Sequence, residues 1–231
     1  MDAPILVVTG MPFEARIARG DGVHVLCAQN ATLAAELDAA IARHGARGLV
    51  SFGTAGGLVP GVKPGQWVVA HKVLDMPQQA REYAAHPGWA DVLLHAMPGA
   101  LHADLAGVAT PVVAAGDKAA LSRETGAAAV DMESHIVARV ALARGLPFVA
   151  ARVVIDPAER SLPPAALAGM RPDGSADVVG VLRSLAGDPR QLPALLRVGQ
   201  DAGRAKRAMQ AGRRAIALQL GAGFGATAAG V

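Results

Sequence analysis

Two carboxylates flank a single methionine in "AVDMESHIVARVALARG", residues Ala129 to Gly145, where an extended stretch gives way to helical spacing. In an extended chain alternate residues share a face, so Asp131 and Glu133 point together. Like charges repel, so that face must meet water, donors or a ligand. A carboxylate at a strand end can accept two hydroxyls of a ribose. Glu133 alone also fits a simpler role, an acid at the positive end of the following helix. In "RVVIDPAER" an apolar strand delivers Asp156 to a rim where Pro157 stops it. Open α/β folds bind ligands at such carboxyl edges, although an Asp before Pro also opens turns. In "TGMPFEAR" Glu14 follows Gly10 by four residues, as a site carboxylate or as a helix-start acid. "SFGTAGGL", Ser51 to Leu58, carries three glycines whose free N–H groups could hold an anion or sugar oxygens. It is neither G-x-G-x-x-G nor a phosphate loop.

Strands must position these residues. "ILVVTG" and "GVHVLCA" read as strands, and "NATLAAELDAAIARHG" as a helix with Asn30 or Thr32 as its cap and Gly45 as its stop. "GLVSFGTAGGL" reads as a buried strand running into a glycine turn, and "GQWVVAHKVL" as another strand. Met76 to Pro98 reads as a looser stretch, with "HPGW" as a turn. "LAGVATP" and "AAVDME" are short strands, Ser134 to Arg144 is a helix, and "PFVAARVVID" is a strand. "SLPPAALAGMRPDG" reads as a surface excursion, followed by helices near Ala176–Ala186 and Gln191–Leu218. Alternating strands and short helices predict a single-domain three-layer αβα fold with a mixed, mostly parallel sheet. That domain is expected over 1–220, including a basic helical segment at 176–218, with a flexible tail at 221–231. The four motifs all follow strands, so they are expected to converge on one sheet edge.

Composition narrows the function. A net charge of +3 with 3% aromatic residues gives no interleaving of bases and rings for reading nucleic acid. Cys27, the one cysteine, predicts no internal disulfide and is expected to be a small buried hydrophobe in a reducing compartment, the cytoplasm. None of the seven histidines shows metal-ligand spacing, and His135 is expected on a helix surface. From Arg190 to Arg214 seven Lys or Arg face one acid, Asp201. That segment reads as a solvated helix face, or as a basic surface leaning on anionic lipid.

Taken together and in order, "GTAGGL", "VDMES" and "RVVIDPA" resemble the purine nucleoside phosphorylase and nucleosidase superfamily over about Ile5 to Asp156. The later "LPPAALAGMRPDG" and "DPRQLPALL" are similar to the hopanoid-associated phosphorylases, which resemble enzymes releasing adenine from adenosylhopane. The resemblance implies that Glu133 binds ribose hydroxyls and that Met132 packs under the sugar; Asp131, on the same face, is expected to bind substrate with them. It implies that Asp156 serves the purine N7. It places Thr54 and Gly56 at the sugar and nucleophile side, Gly116 and Asp117 near the purine, and Glu14 in the first loop as a catalytic residue. Ile155 and Ala119 or Ala120 depart from relatives with Ser and an aromatic there. Ser51 stands where hexameric phosphorylases carry a phosphate-binding arginine, which Arg16 would have to replace.

The expected reaction is N-glycosidic cleavage of a purine nucleoside, with phosphate or water as nucleophile and no metal or organic cofactor. Partners implied are the nucleoside, inorganic phosphate as co-substrate, a membrane surface and a second copy of the chain. Two other readings remain open: a methylthioadenosine/S-adenosylhomocysteine-type nucleosidase, and a noncatalytic purine-ribose binding module.

Overall fold

Strand β1 (Ile5–Thr9) is buried on both sides and sorts its side chains by parity. Leu6 and Val8 join one core, Ile5 and Val7 the other. The same division runs through the sheet in the computed structural model, which describes residues 3–28, 30–169, 177–221 and 224. In chain order the elements are β1, α1 (Pro12–Ala18), β2 (Val23–Cys27), α2 (Asn30–His44), β3 (Gly48–Gly57), β4 (Trp67–Asp75) and β5 (Arg81–Ala84). Then come α3 (Pro87–Ala96), β6 (Leu101–Gly107), α4 (Ala115–Thr125), β7 (Ala129–Asp131), α5 (Ser134–Arg144) and β8 (Phe148–Asp156). The chain closes with α6 (Pro164–Ala168), α7 (Val178–Gly187), α8 (Leu192–Ala215) and α9 (Ala217–Gly221).

β2, β1, β3 and β8 run parallel. β4, β6 and β7 also run parallel to one another. The two groups meet antiparallel, β3 against β7 and β4 against β8, so five strands close a ring: β3, β7, β6, β4 and β8. α2 and α5 cover one face through Leu33, Leu37, Val137 and Ala141. α1, α3 and α8 cover the other through Ala18, Leu93, Ala205 and Met209. The expected α/β fold with a mixed, mostly parallel sheet is therefore present, with helices on both faces.

The details depart from expectation in instructive places. The glycine stretch is not a turn; β3 runs through Gly57, with a register shift between Ala55 and Gly56. "HPGW" is not a turn either. Pro87 occupies the first turn of α3, where its missing N–H costs nothing, and the His86 side chain accepts from Trp89 N. α4 and β5 were also not legible. Cys27 is exposed, because β2 is an edge strand. His135 is buried on α5, not at its surface. Of the expected excursion at Ser161–Gly174, residues 164–168 form α6 and 170–174 lie outside the described residues, as does the expected tail apart from Gly221 and Phe224.

Candidate active site

Arg152 lies in the middle of β8, at a position that alternation assigns to the core, and is 1% exposed. A buried guanidinium must be paired and hydrogen-bonded, or it costs several kcal/mol. Its Nε sits 2.6 Å from Asp131 Oδ2, and its Nη1 3.2 Å from Glu133 Oε2. Nε also donates to Ser134 Oγ at 3.2 Å, Nη2 to Ser51 Oγ, and Nη1 to the Thr54 carbonyl at 3.5 Å. The two acids flanking Met132 thus converge on one cation.

They do different work. Asp131 accepts from the backbone N–H of Ser134 at 3.2 Å and from the Ser134 hydroxyl, so it organises the start of α5. Glu133 makes no capping bond there. It turns instead toward β1: a Cβ added to Gly10 would stand 2.4 Å from Glu133 Oε1. Met132, between them, is half-buried.

Glu14 approaches the same point from α1 and is 1% exposed. Its Oε2 accepts from Gly10 N (3.1 Å) and Met11 N (3.0 Å), and its Oε1 from Thr54 N and Thr54 Oγ1 (both 2.8 Å). Gly53 makes this meeting possible, since a Cβ there would lie 2.6 Å from Arg152 Nη1 and 2.8 Å from Glu14 Oε2. The glycines of β3 leave room for side chains that cross the sheet.

Three carboxylates therefore crowd one guanidinium. Burial raises Glu133 from 4.5 to about 7; Arg152 opposes this, while Asp131 and Glu14 add to it. Burial likewise raises Glu14, opposed by Arg152 and its hydrogen bonds. An acid whose folded pKa exceeds its unfolded value stabilises the fold below the unfolded value, and that stability is lost as pH rises through the folded one. The ligand-free protein should lose on the order of 2–3 kcal/mol from Glu133 between pH 4.5 and about pH 7. Thermal denaturation at pH 5 and pH 8 checks this; a Glu133→Gln variant should show a flatter profile.

Asp156 stands at the end of β8, half-buried, beside Gly56. Its Oδ2 accepts from the Lys118 ammonium. Burial raises its carboxyl, with Lys118 pulling the other way. Lys118, missed in the sequence, is the residue α4 turns inward; Gly116 and Asp117 are exposed on its first turn. The sequence motifs assign Arg152 no role. An arginine inside an apolar run, opposite two same-face acids, was the signal for it. Arg16 is exposed and lines a cleft of about 810 Å³ between α1 and α8 with Arg19, Lys206 and Arg214. Among the described residues no group of three or more His, Cys, Asp or Glu could hold a metal ion.

The order of the motifs and this ring of strands agree with comparison to known proteins. Residues 4–167 match the phosphorylase superfamily. The chain belongs to that superfamily. No match is found among curated protein sequences. Among solved structures, this superfamily member is similar to the Helicobacter pylori 5'-methylthioadenosine/S-adenosylhomocysteine nucleosidase (TM-score 0.67, 15% identity, 93% of this chain and 96% of that one). It is similar to H. pylori futalosine hydrolase (TM-score 0.62, 16% identity, 69% and 90%). It is also similar to the S-adenosylhomocysteine nucleosidase of Streptococcus pyogenes (TM-score 0.61, 14% identity, 68% and 85%). At these identities the likeness is one of fold.

Proposed function

We propose that this superfamily member hydrolyses the N-glycosidic bond of a purine nucleoside. The observation that carries the reading is the convergence of Glu14, Glu133 and Asp131 on Arg152, with Asp156 at the adjoining strand end. Cleavage builds positive charge on the sugar and negative charge on the departing purine. Buried carboxylates complement the first, and a carboxyl able to share a proton complements the second. Glu133 accepts ribose hydroxyls, Met132 packs beneath the sugar, and Asp156 serves the purine N7.

Water fits the nucleophile better than phosphate. Above about pH 7, where Glu133 is ionised, it and Asp131 outweigh the one guanidinium, and every Arg152 nitrogen already has a partner. A phosphate dianion would be repelled there. Thr54 donates its hydroxyl proton to Glu14, so its oxygen can accept from an attacking water. The water proton then passes through Thr54 Oγ1 to Glu14 Oε1 as oxygen bonds the sugar carbon. The test is release of free adenine from adenosine-type nucleosides by the purified protein, with and without millimolar phosphate. Equal rates are expected. A rate that requires phosphate would make the protein a phosphorylase, and no release at all would leave a binding module.

For the substrate we infer a nucleoside with an apolar, hopane-like tail. The chain leaving Asp156 braces α4, with Ser161 Oγ accepting from Ala115 N at 3.0 Å, and leads into α6 and α7. Val178, Val179 and Leu182 on α7, with Leu192 and Leu196 on α8, are 47–64% exposed. Arg183, Arg190 and Arg197 are interspersed with them and exposed. Aliphatic side chains bordered by arginines suit an anionic lipid surface. No helix among the described residues is long and apolar enough to cross a membrane. Replacing Val179 and Leu182 with Asp should abolish co-sedimentation with anionic vesicles at low salt, while cleavage of a water-soluble nucleoside stays unchanged. Co-sedimentation that ignores the double change would remove the lipid-tail reading and leave the hydrolase.

A further inference from the structure

Lys118 is a fully buried ammonium whose purpose the reaction above does not require. Its Nζ donates to Asp156 Oδ2, to the Pro157 carbonyl at 3.0 Å and to the Arg160 carbonyl at 3.0 Å. An ammonium has three protons, and here each has an acceptor. Burying such a charge is costly unless it is paired, so the pair with Asp156 is a built feature of α4 and the chain after β8. We propose that Lys118 is the proton source behind Asp156, acting through that carboxylate on the leaving purine. This rests on the N-glycosidic reading above.

The C1'–N9 bond breaks and its electron pair passes into the purine, reaching N7. N7 takes a proton from Asp156, and Asp156 takes one from Lys118 Nζ. The pair ends as a carboxylate and a neutral amine, and the amine regains its proton from water. The two backbone carbonyls hold the nitrogen in place throughout. Other charges facing Asp156 are Arg160, which draws its carboxyl down, and Asp201, which pushes it up from α8; these two are paired at 2.7 Å. Of these three charged groups, Lys118 is the one hydrogen-bonded to the Asp156 carboxylate.

A brace between α4 and the 157–160 segment would make the same three bonds, so the test must separate charge from proton. Lys118→Arg keeps the charge and the donors, but a guanidinium does not release a proton near neutral pH. An N7-methylated purine nucleoside loses its base as a neutral species and needs no proton. The experiment measures kcat and KM for an ordinary purine nucleoside and its N7-methylated counterpart, in wild type, Lys118→Arg and Lys118→Met. On the ordinary substrate both variants should lose about 10²-fold in kcat with KM little changed, and on the methylated one they should stay within about threefold of wild type. Equal losses on both substrates would make Lys118 a brace, and full activity of Lys118→Arg on the ordinary substrate would overturn the proposal. If neither variant folds, the wild-type pH profile decides. The ordinary substrate should lose kcat at alkaline pH while the methylated one does not, and parallel profiles would overturn the proposal. A wild type that cleaves neither nucleoside sinks the N-glycosidic reading and this proposal with it. A wild type that cleaves both, with Lys118→Arg unaffected, sinks only the proposal.

Discussion

Asp156→Asn should lower kcat on an ordinary purine nucleoside by about 10²–10⁴-fold, with a modest change in KM. The amide keeps the shape and one hydrogen bond but carries no proton for N7. A positioned acid supplies roughly 3–5 kcal/mol of barrier, which converts to that range. The loss should depend on the leaving group. A 7-deaza purine has no N7 to protonate, so it should be a poor substrate for the wild type and no worse for the variant. The same substitution strands Lys118, whose ammonium loses its counter-charge while remaining fully buried. Breaking a buried pair from one side costs about 3–5 kcal/mol, so the variant should also melt earlier, and its rates belong well below that transition. A loss under about tenfold on the ordinary purine would make Asp156 a turn residue and remove the acid from the mechanism.

Glu133→Gln should show the opposite pairing of effects. A charged acceptor of a sugar hydroxyl contributes about 1.5–3 kcal/mol, so kcat/KM should fall by at least about tenfold and, with two hydroxyls, nearer 10³-fold. Stability at pH 8 should rise. The wild-type carboxylate is ionised there against burial and against Asp131 and Glu14, and the neutral amide removes that conflict. A variant that is less active and more stable would mark Glu133 as a residue held for chemistry at the expense of the fold. Near-normal kcat/KM in a folded Gln variant would contradict the ribose role.

Much of this site was legible because acids in apolar surroundings are rarely structural. Glu14, Asp131, Glu133 and Asp156 each stood out at a strand end, and the first three meet at Arg152. The expected single sheet edge was too simple. β7 enters antiparallel to β3, with Val130 opposite Gly56 and Ala129 opposite Gly57, so Asp131 arrives from the opposite direction. Local sequence does not encode that, because strand direction depends on partners far along the chain. Arg152 and Lys118 were harder to see. A cation in the sequence gives no sign of burial unless its counter-charges are placed, and those lie far along the chain: Asp156 is 38 residues from Lys118, and Glu14 comes to Arg152 from the first helix. α3 was missed because proline and glycine at a helix start look like a turn. The glycines of β3 misled similarly: they serve close approach by Glu14 and Arg152, not chain reversal.

In the proposed reaction water attacks the sugar carbon while the purine departs. The direct measurement is mass analysis of the sugar product after turnover of an adenosine-type nucleoside in ¹⁸O-labelled water containing millimolar phosphate. Free adenine and a free sugar carrying one ¹⁸O atom at its anomeric carbon are expected. A sugar 1-phosphate without the label would contradict that reaction.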